Sequence, residues 1–275
     1  MKHFFIIVNA QKDSELIFTN QIIDYIRRKG GTCDYFASFE EEKAESVEKE
    51  IPTETEAVLV IGGDGTLIKA IEENKYKGYF ISIKSSNSLG FFTEFKNINE
   101  FIDYKENFTP FIEKHKLLEV TGNNKTFFCV NEFIFSNPYA TMKFSLAINN
   151  IPFCYCASNG ICVSTPFGST GYNHSLGGTI LLSNDGYEYN IIAPIENNLY
   201  HNSLKSICLN ENDILEINME NKIDITIASD MKVIDFGKDC TNFKVKKTNF
   251  GFYLVHLNEK NVYNRLRNSF AMKEN

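Results

Sequence analysis

Two glycine-rich segments carry the groups in this chain that are best placed to do chemistry. The first reads Gly62-Gly63-Asp64-Gly65-Thr66, after the apolar run Ala57-Val-Leu-Val-Ile61 and before the helix-like run Leu67-Ile-Lys-Ala-Ile71. A strand that turns through glycines into a helix presents unpartnered backbone amides at the positive end of the helix dipole. That end suits a phosphate. A carboxylate inside such a cradle, Asp64, has a task there: holding a cation or taking a hydroxyl proton. The plainer reading of the same residues is a tight turn, with glycines at positive φ and Asp64 or Thr66 capping the helix. The segment is neither a GxxxxGK[ST] phosphate loop nor a GxGxxG dinucleotide fingerprint.

The second segment reads Thr165-Pro-Phe-Gly-Ser-Thr-Gly-Tyr-Asn-His-Ser-Leu-Gly-Gly178. It offers three hydroxyls before an aromatic ring, Tyr172, that can stack on a base or pack. Its glycines let a ligand approach the backbone. Loops of this kind collect binding residues; a polar connection between strands is the alternative. Asn131-Glu132 interrupts the apolar stretch 127–135. Glu132 is costly to bury there without partners, whereas on an edge strand it simply faces outward. Phe91 and Phe92 follow a glycine in the segment 88–94. They pack in a core by default, though one can cover a base.

The elements that position these groups change in kind along the chain. Residues 4–9, 33–37, 57–61 and 79–83 read as strands. Residues 14–29 read as a helix stopped by Gly30-Gly31, and a second helix runs from the glycine turn to about Asn74. Residues 40–50, dominated by Glu and Lys, read as a solvated helix or loop. Strands separated by helices imply a parallel sheet with flanking helices. From about residue 115 the chain reads as strands: 117–121, 126–135, 143–149, 153–157, 161–164, 213–219, 223–228, 243–247 and 252–257. Asn149-Asn150 suits a hairpin turn, so this half is antiparallel. Residues 97–104 look like a connecting helix, and 261–270 are helix-like again.

A chain of 275 residues holds two domains or one large one. The net charge of −7 argues against nucleic acid as partner. No window reaches the ~20 apolar residues of a membrane span, and residues 1–9 read as a buried strand rather than a signal peptide. The seven cysteines show no CxxC spacing and read as reduced thiols of a cytoplasmic protein, Cys154 and Cys156 sharing one strand face. The five histidines fall at no zinc-ligand spacing.

Taken in order, Gly62-Gly-Asp-Gly-Thr66, Leu89-Gly-Phe-Phe-Thr93, Asn131-Glu132 and Thr165-Pro-Phe-Gly-Ser-Thr-Gly-Tyr172 resemble the NAD kinases. Tyr263-Asn-Arg-Leu-Arg-Asn-Ser-Phe270 is similar to the C-terminal segment of the Gram-positive type. The resemblance spans residues 57–270. It implies an α/β N-terminal domain, a β-rich, sandwich-like C-terminal domain, and a nucleotide site between them. We draw the domains at 1–105 and 106–260, with residues 261–275 packing back on the first. The resemblance further implies a homodimer or homotetramer, a divalent cation such as Mg²⁺ without a defined set of side-chain ligands, and transfer of the terminal phosphate of ATP or polyphosphate to the adenosine ribose 2′-hydroxyl of NAD.

By the same resemblance, Asp64 is the acid–base or orienting carboxylate, and Gly62, Gly63, Gly65 and Thr66 form the donor-phosphate turn. Gly65 also approaches the nucleotide, and Phe91 and Phe92 wall its adenine side. Asn131 and Glu132 bond base or ribose. Asn159, Thr170, Gly171, Tyr172 and Ser175 complete the NAD site. The family usually carries Asp-Gly where this chain has Asn159-Gly160, Thr or Ser at Phe167, and Ala at Gly171, so dinucleotide binding is expected to be weakened or altered while the chemistry persists. Two rival readings stand beside this one. A lipid kinase of the diacylglycerol or sphingosine type shares the GGDGT turn, but its Gly-Thr-Gly-Asn-Asp segment is missing here. A non-catalytic dinucleotide-binding regulator is the other.

Overall fold

The computed structural model describes residues 2–9, 13, 16–38, 54–84, 90–93, 98–107, 111–200, 204–220, 224–256 and 261–271. The charged segment 40–50 and residues 88, 89, 94, 97 and 257 lie outside the described residues. The chain forms two compact units, one of residues 1–115 with 251–275 and one of residues 116–250.

The elements of the first unit run β1 (His3–Asn9), α1 (Ile17–Arg28), β2 (Thr32–Ser38), β3 (Thr55–Ile61), α2 (Asp64–Glu73), β4 (Tyr79–Ile83) and α3 (Ile98–Asn107). β5 (Phe111–Gly122) begins in this unit and continues into the second. The second unit holds β6 (Lys125–Cys129), β7 (Glu132–Ser136), β8 (Met142–Ile148), β9 (Ile151–Ser158), β10 (Gly160–Ser164), α4 (Tyr172–Ser175), β11 (Gly186–Ile192), β12 (Ser206–Asn210), β13 (Leu215–Met219), β14 (Thr226–Ser229) and β15 (Lys232–Ile234). β16 (Asn242–His256) starts in the second unit and ends in the first, followed by α5 (Asn261–Leu266).

In the first unit β1 pairs in parallel with β2 and β3, β3 with β4, and β4 with Tyr253–Leu254 of β16. Strands buried on both faces need unbroken apolar runs, and β3 is buried from Ala57 to Ile61. Ile6, Val8, Leu59 and Ile81 pack with Ile22, Ile23 and Ile26 of α1 and with Phe101 of α3. The Asp13 carboxylate accepts the Thr19 amide at 2.9 Å and so closes the start of α1. Gly30 ends that helix at φ +76°, the conformation the glycine pair predicts.

The second unit is a sandwich of antiparallel strands. β9, β8, β13 and the first part of β16 form one layer, and β12-β11-β10-β7-β14-β15 the other. Phe144, Leu146, Ile217 and Phe243 from the first layer share a core with Phe133, Phe135, Val163 and Tyr189 from the second. Asn149 and Asn150 turn β8 into β9 with φ of +54° and +64°, the hairpin geometry expected of them.

Two strand expectations are corrected, and two strands come without one. The run 126–135 is two strands, β6 and β7, broken at Val130-Asn131. The runs 243–247 and 252–257 are one continuous strand, β16. β11 and β12 carry no expectation at all, because Glu188 and Asn190 of β11 are polar yet buried in a hydrogen-bonded network, and an apolar pattern cannot reveal them.

Candidate functional site

Within the first unit the glycine turn follows β3 directly. The Gly62 amide donates to the Ile83 carbonyl at 3.1 Å, which fixes the turn against β4. Asp64 is the first residue of α2. Its Oδ2 accepts the Phe91 amide at 2.7 Å and its Oδ1 the Phe92 amide at 2.9 Å. No side chain among the described residues caps α2, so its first amides and the dipole suit an anion. Gly62, Gly63 and Gly65 are not among the described positive-φ residues, so the turn does not use them for left-handed backbone. Gly62 serves for room: a Cβ on it would sit 2.5 Å from Thr66 Oγ1. Across from them, a Cβ on Gly90 would sit 2.7 Å from Asp64 Oδ1.

Burial pushes the Asp64 carboxyl above the usual range for Asp, against the pull of the Phe92 and Phe91 amides and of Arg265. Phe91 and Phe92 meet edge to face with ring centroids 5.1 Å apart. The Arg265 guanidinium lies 5.3 Å from the Phe91 centroid and 5.7 Å from that of Phe92. Phe270 adds a ring 6.2 Å from Phe91. Phe92 is buried and Phe91 half-buried. The C-terminal helix thus holds the aromatic pair whose amides hold Asp64.

Within the second unit the break between β6 and β7 is clamped from two sides. Asp230, in the β14–β15 turn at φ +51°, accepts the amides of Val130 at 2.8 Å and Asn131 at 2.6 Å. From the other side the Thr165 amide donates to the Asn131 carbonyl at 2.8 Å, and Thr165 Oγ1 to the Val130 carbonyl at 2.7 Å. Thr165 Oγ1 also accepts the Gly168 amide at 3.0 Å. A Cβ on Gly168 would lie 2.5 Å from the Asn131 carbonyl oxygen, so this approach requires glycine.

Glu132 therefore does not face outward on an edge. β7 lies between β10 and β14, and Glu132 is 7% exposed. Burial, aided by the charge of Asp230, raises its pKa to about 8. Its Oε2 and the Asn131 Oδ1 are buried without a hydrogen-bond partner among the described residues. Two adjacent acceptors in that state point to a polar ligand.

Thr170, Gly171, Tyr172 and Ser175 are half-buried or exposed, leaving their surfaces accessible to a ligand. Between them Asn173 is fully buried and anchors the segment. Its Nδ2 donates to Glu188 Oε2 at 2.7 Å, and its Oδ1 accepts Asn190 Nδ2 at 2.6 Å. Glu188 also accepts the Thr179 amide at 3.0 Å and Ser206 Oγ at 2.5 Å. Sequence reasoning passed over Asp230, Asn173 and Glu188. The one signal for them is a carboxylate in an otherwise strand-like run, which Glu188 alone provides.

Asn159 stands apart within the chain. Register pairs Glu132 with Ser164, at the opposite end of β10 from Asn159, a separation of about 16 Å along the strand. Asn159 Nδ2 donates to the Asn137 carbonyl at 3.1 Å. Phe167 is 3% exposed, so its added bulk is absorbed by packing. Cys154 and Cys156 do share a face, with sulfurs 3.7 Å apart.

Residues 131–248 match the family described as the ATP-NAD kinase C-terminal domain, and residues 3–79 that described as the diacylglycerol kinase catalytic domain. An NAD kinase of Agathobacter rectalis is 30% identical over 229 residues, which is 79% of this chain and 78% of that protein. An NAD kinase of Ureaplasma parvum is 30% identical over 230 residues, 80% of this chain and 82% of that protein. Among solved structures, an NAD kinase from Archaeoglobus fulgidus in complex with ATP aligns with a TM-score of 0.72 at 18% identity, over 98% of this chain and 97% of that one. Yeast NADH kinase complexed with NADH aligns with a TM-score of 0.78 at 16% identity, over 100% of this chain and 89% of that one. These two structures share its fold.

Proposed function

The chain belongs to the NAD kinase family, and on that premise we propose that Asp64 draws the proton from the adenosine ribose 2′-hydroxyl of NAD as the terminal phosphate of ATP, or of polyphosphate, is transferred to it. The observation that carries the role of Asp64 is its geometry. A carboxylate offers about four lone-pair sites. The Phe91 and Phe92 amides occupy one on each oxygen and fix the group's orientation. The remaining sites can accept a hydroxyl proton. Burial raises the carboxyl's pKa and makes it a stronger base than an exposed Asp.

Phosphoryl transfer depends on in-line positioning and charge neutralisation more than on covalent help. The first amides of α2, opened by Gly62, Gly63, Gly65 and Thr66, suit the donor phosphates. The buried acceptors on Asn131 and Glu132 suit the base or ribose of NAD. With its pKa at about 8, Glu132 is protonated at neutral pH and can donate as well as accept. Thr170, Gly171, Tyr172 and Ser175 are assigned to the dinucleotide, Tyr172 stacking on a ring, and so is Asn159. Both oxygens of Asp64 accept amides, and Asp64 belongs to no group of three or more metal-ligating side chains among the described residues. A divalent cation such as Mg²⁺ would therefore rest mainly on the donor phosphates and water rather than on a side-chain cage, where it would offset donor charge, and no step is routed through it.

The diacylglycerol kinase match ends at residue 79 and rests on the part that carries the shared turn. Residues 131–248 match the NAD kinase C-terminal domain and a relative named NAD kinase aligns over 79% of the chain, which leaves the lipid kinase reading without support. Free cysteines support a cytoplasmic setting, no described helix is long and apolar enough to cross a membrane, and a homodimer or homotetramer is our proposal for the assembly.

The test is Asp64→Asn in a coupled assay for NADP, with NAD affinity and Tm read alongside. We expect turnover to fall by about 10²–10⁴-fold while NAD affinity stays within about tenfold. An equal loss of both would make Asp64 a binding residue and sink the assignment.

A further inference from the structure

Away from the residues assigned above, the first unit brings two histidines and a glutamate together. Glu113 and His115 alternate on β5, so both project to one face. His256 is the last residue of β16, which pairs with β5. The two imidazole Nε2 atoms converge on one carboxylate oxygen. His256 Nε2 lies 2.9 Å and His115 Nε2 3.4 Å from Glu113 Oε2. The ligand atoms of the three residues all fall within 4.8 Å of one another. Tetrahedral zinc with bonds of about 2.0–2.2 Å separates its ligand atoms by about 3.3–3.5 Å. One edge of the triangle already has that length, the 2.9 Å edge needs to open by a few tenths of an ångström, and the imidazole–imidazole edge, within 4.8 Å, closes toward it as the ion binds.

The surroundings suit an ion held for structure. His115 is stacked on Phe252 with centroids 5.3 Å apart, and its edge meets Phe92 at 6.4 Å. His256 packs on Phe111 at 6.0 Å. Both imidazoles are buried, and Glu113 is half-buried, which leaves a side from which water can complete the coordination. Arg265 is the neighbouring positive charge that opposes a cation here, and Glu113 supplies the compensating negative charge.

We propose that Glu113, His115 and His256 bind one divalent transition metal of the zinc class, tying β5 to the end of β16 behind Phe92. Two imidazoles and one carboxylate are the donor set such an ion selects over magnesium, which takes oxygen ligands. Because Phe92 also donates its amide to Asp64, the ion would steady the segment that holds that carboxylate. The inference does not depend on the kinase assignment, and its test does not read activity.

The full chain would be purified without a histidine tag, its metal content measured by mass spectrometry, and the chelator-treated protein titrated with Co²⁺ and Zn²⁺. We expect one equivalent of Zn²⁺, a tetrahedral Co²⁺ absorption lacking a thiolate charge-transfer band, and a Tm that rises by a few degrees on adding Zn²⁺. His256→Gln keeps a side-chain donor to Glu113, and Glu113→Gln keeps the shape of the carboxyl. Each should weaken binding by about 10²-fold or more, beyond what loss of an outer-shell partner does. A wild-type protein that takes up neither metal carries a plain His–Glu–His hydrogen-bonded cluster, and the proposal is wrong. It is equally wrong if the two variants bind as tightly as wild type, or if a thiolate band places the ion on cysteine.

Discussion

Glu132→Gln isolates a single buried proton. The carboxyl is 7% exposed, inside the sheet between β10 and β14. Burial and then the charge of Asp230 raise its pKa from 4.5 to about 8. The folded chain therefore retains a proton that the unfolded chain has released across this range. By linkage the folded state binds more protons than the unfolded one, so stability falls as pH rises. The contribution of the neutral carboxyl is whole below about pH 4.5 and is lost as the pH climbs through about 8. A shift of about 3.5 units at 1.36 kcal/mol each sets a ceiling of about 5 kcal/mol. Glutamine keeps the shape and stays neutral at every pH. Urea unfolding of both proteins from pH 5 to pH 9 should give curves within about 1 kcal/mol of each other at the acid end. At pH 9 the variant should be the more stable, by on the order of 3–5 kcal/mol. Parallel curves across the range would show that Glu132 is already ionised in the folded protein, and the argument from its burial would fail.

The clamp on the same strand break gives a linked expectation. Asp230→Ala strips the acceptor from the Val130 and Asn131 amides and should lower stability by about 2–4 kcal/mol in urea titration; it should also move the Glu132 transition toward acid, because the charge that raises it is gone. Gly168→Ala places a methyl 2.5 Å from the Asn131 carbonyl oxygen and should cost about 1–3 kcal/mol and raise the NAD Michaelis constant; an unchanged Tm and constant would show that the loop does not fix Asn131. Asn159→Asp introduces the carboxylate that the family resemblance leads one to expect there and should lower the NAD Michaelis constant several-fold, whereas an unchanged value would confine Asn159 to its bond with the Asn137 carbonyl.

The parallel half of the fold is legible from the sequence because β1, β3 and β4 are buried along most of their length and must be apolar there, as in Ala57–Ile61. The sandwich half is less so. β11 hides in Tyr187-Glu-Tyr-Asn190, where both polar side chains point into a network rather than into water. The site divides in the same way. Asp64 and Glu132 stand out because a carboxylate beside glycines or inside an apolar run is costly without a reason. Asp230 gives no such sign. It works by accepting main-chain amides, which every sequence supplies, and only the fold brings residue 230 to residues 130 and 131.

The glycines explain why the segments around Asp64 and Asn131 are nonetheless conspicuous. At Gly62, Gly90, Gly160 and Gly168 the backbone does not need left-handed φ; it needs the absence of a Cβ. The four missing methyl groups would strike Thr66 Oγ1, Asp64 Oδ1, the Phe135 carbonyl and the Asn131 carbonyl, at 2.5, 2.7, 2.2 and 2.5 Å. Three of those neighbours are the assigned residues themselves, and the fourth lies at the far end of β7 and β10, the strands that carry Glu132 and Ser164. At Gly160 and Gly168 backbone approaches backbone, and at Gly62 and Gly90 the backbone approaches the Thr66 and Asp64 side chains; each approach is closer than a Cβ allows. The density of glycine around Asp64 and Asn131 is therefore a consequence of how these side chains are held. It follows that an alanine at any of the four positions should act on the geometry of the site before it acts on the core.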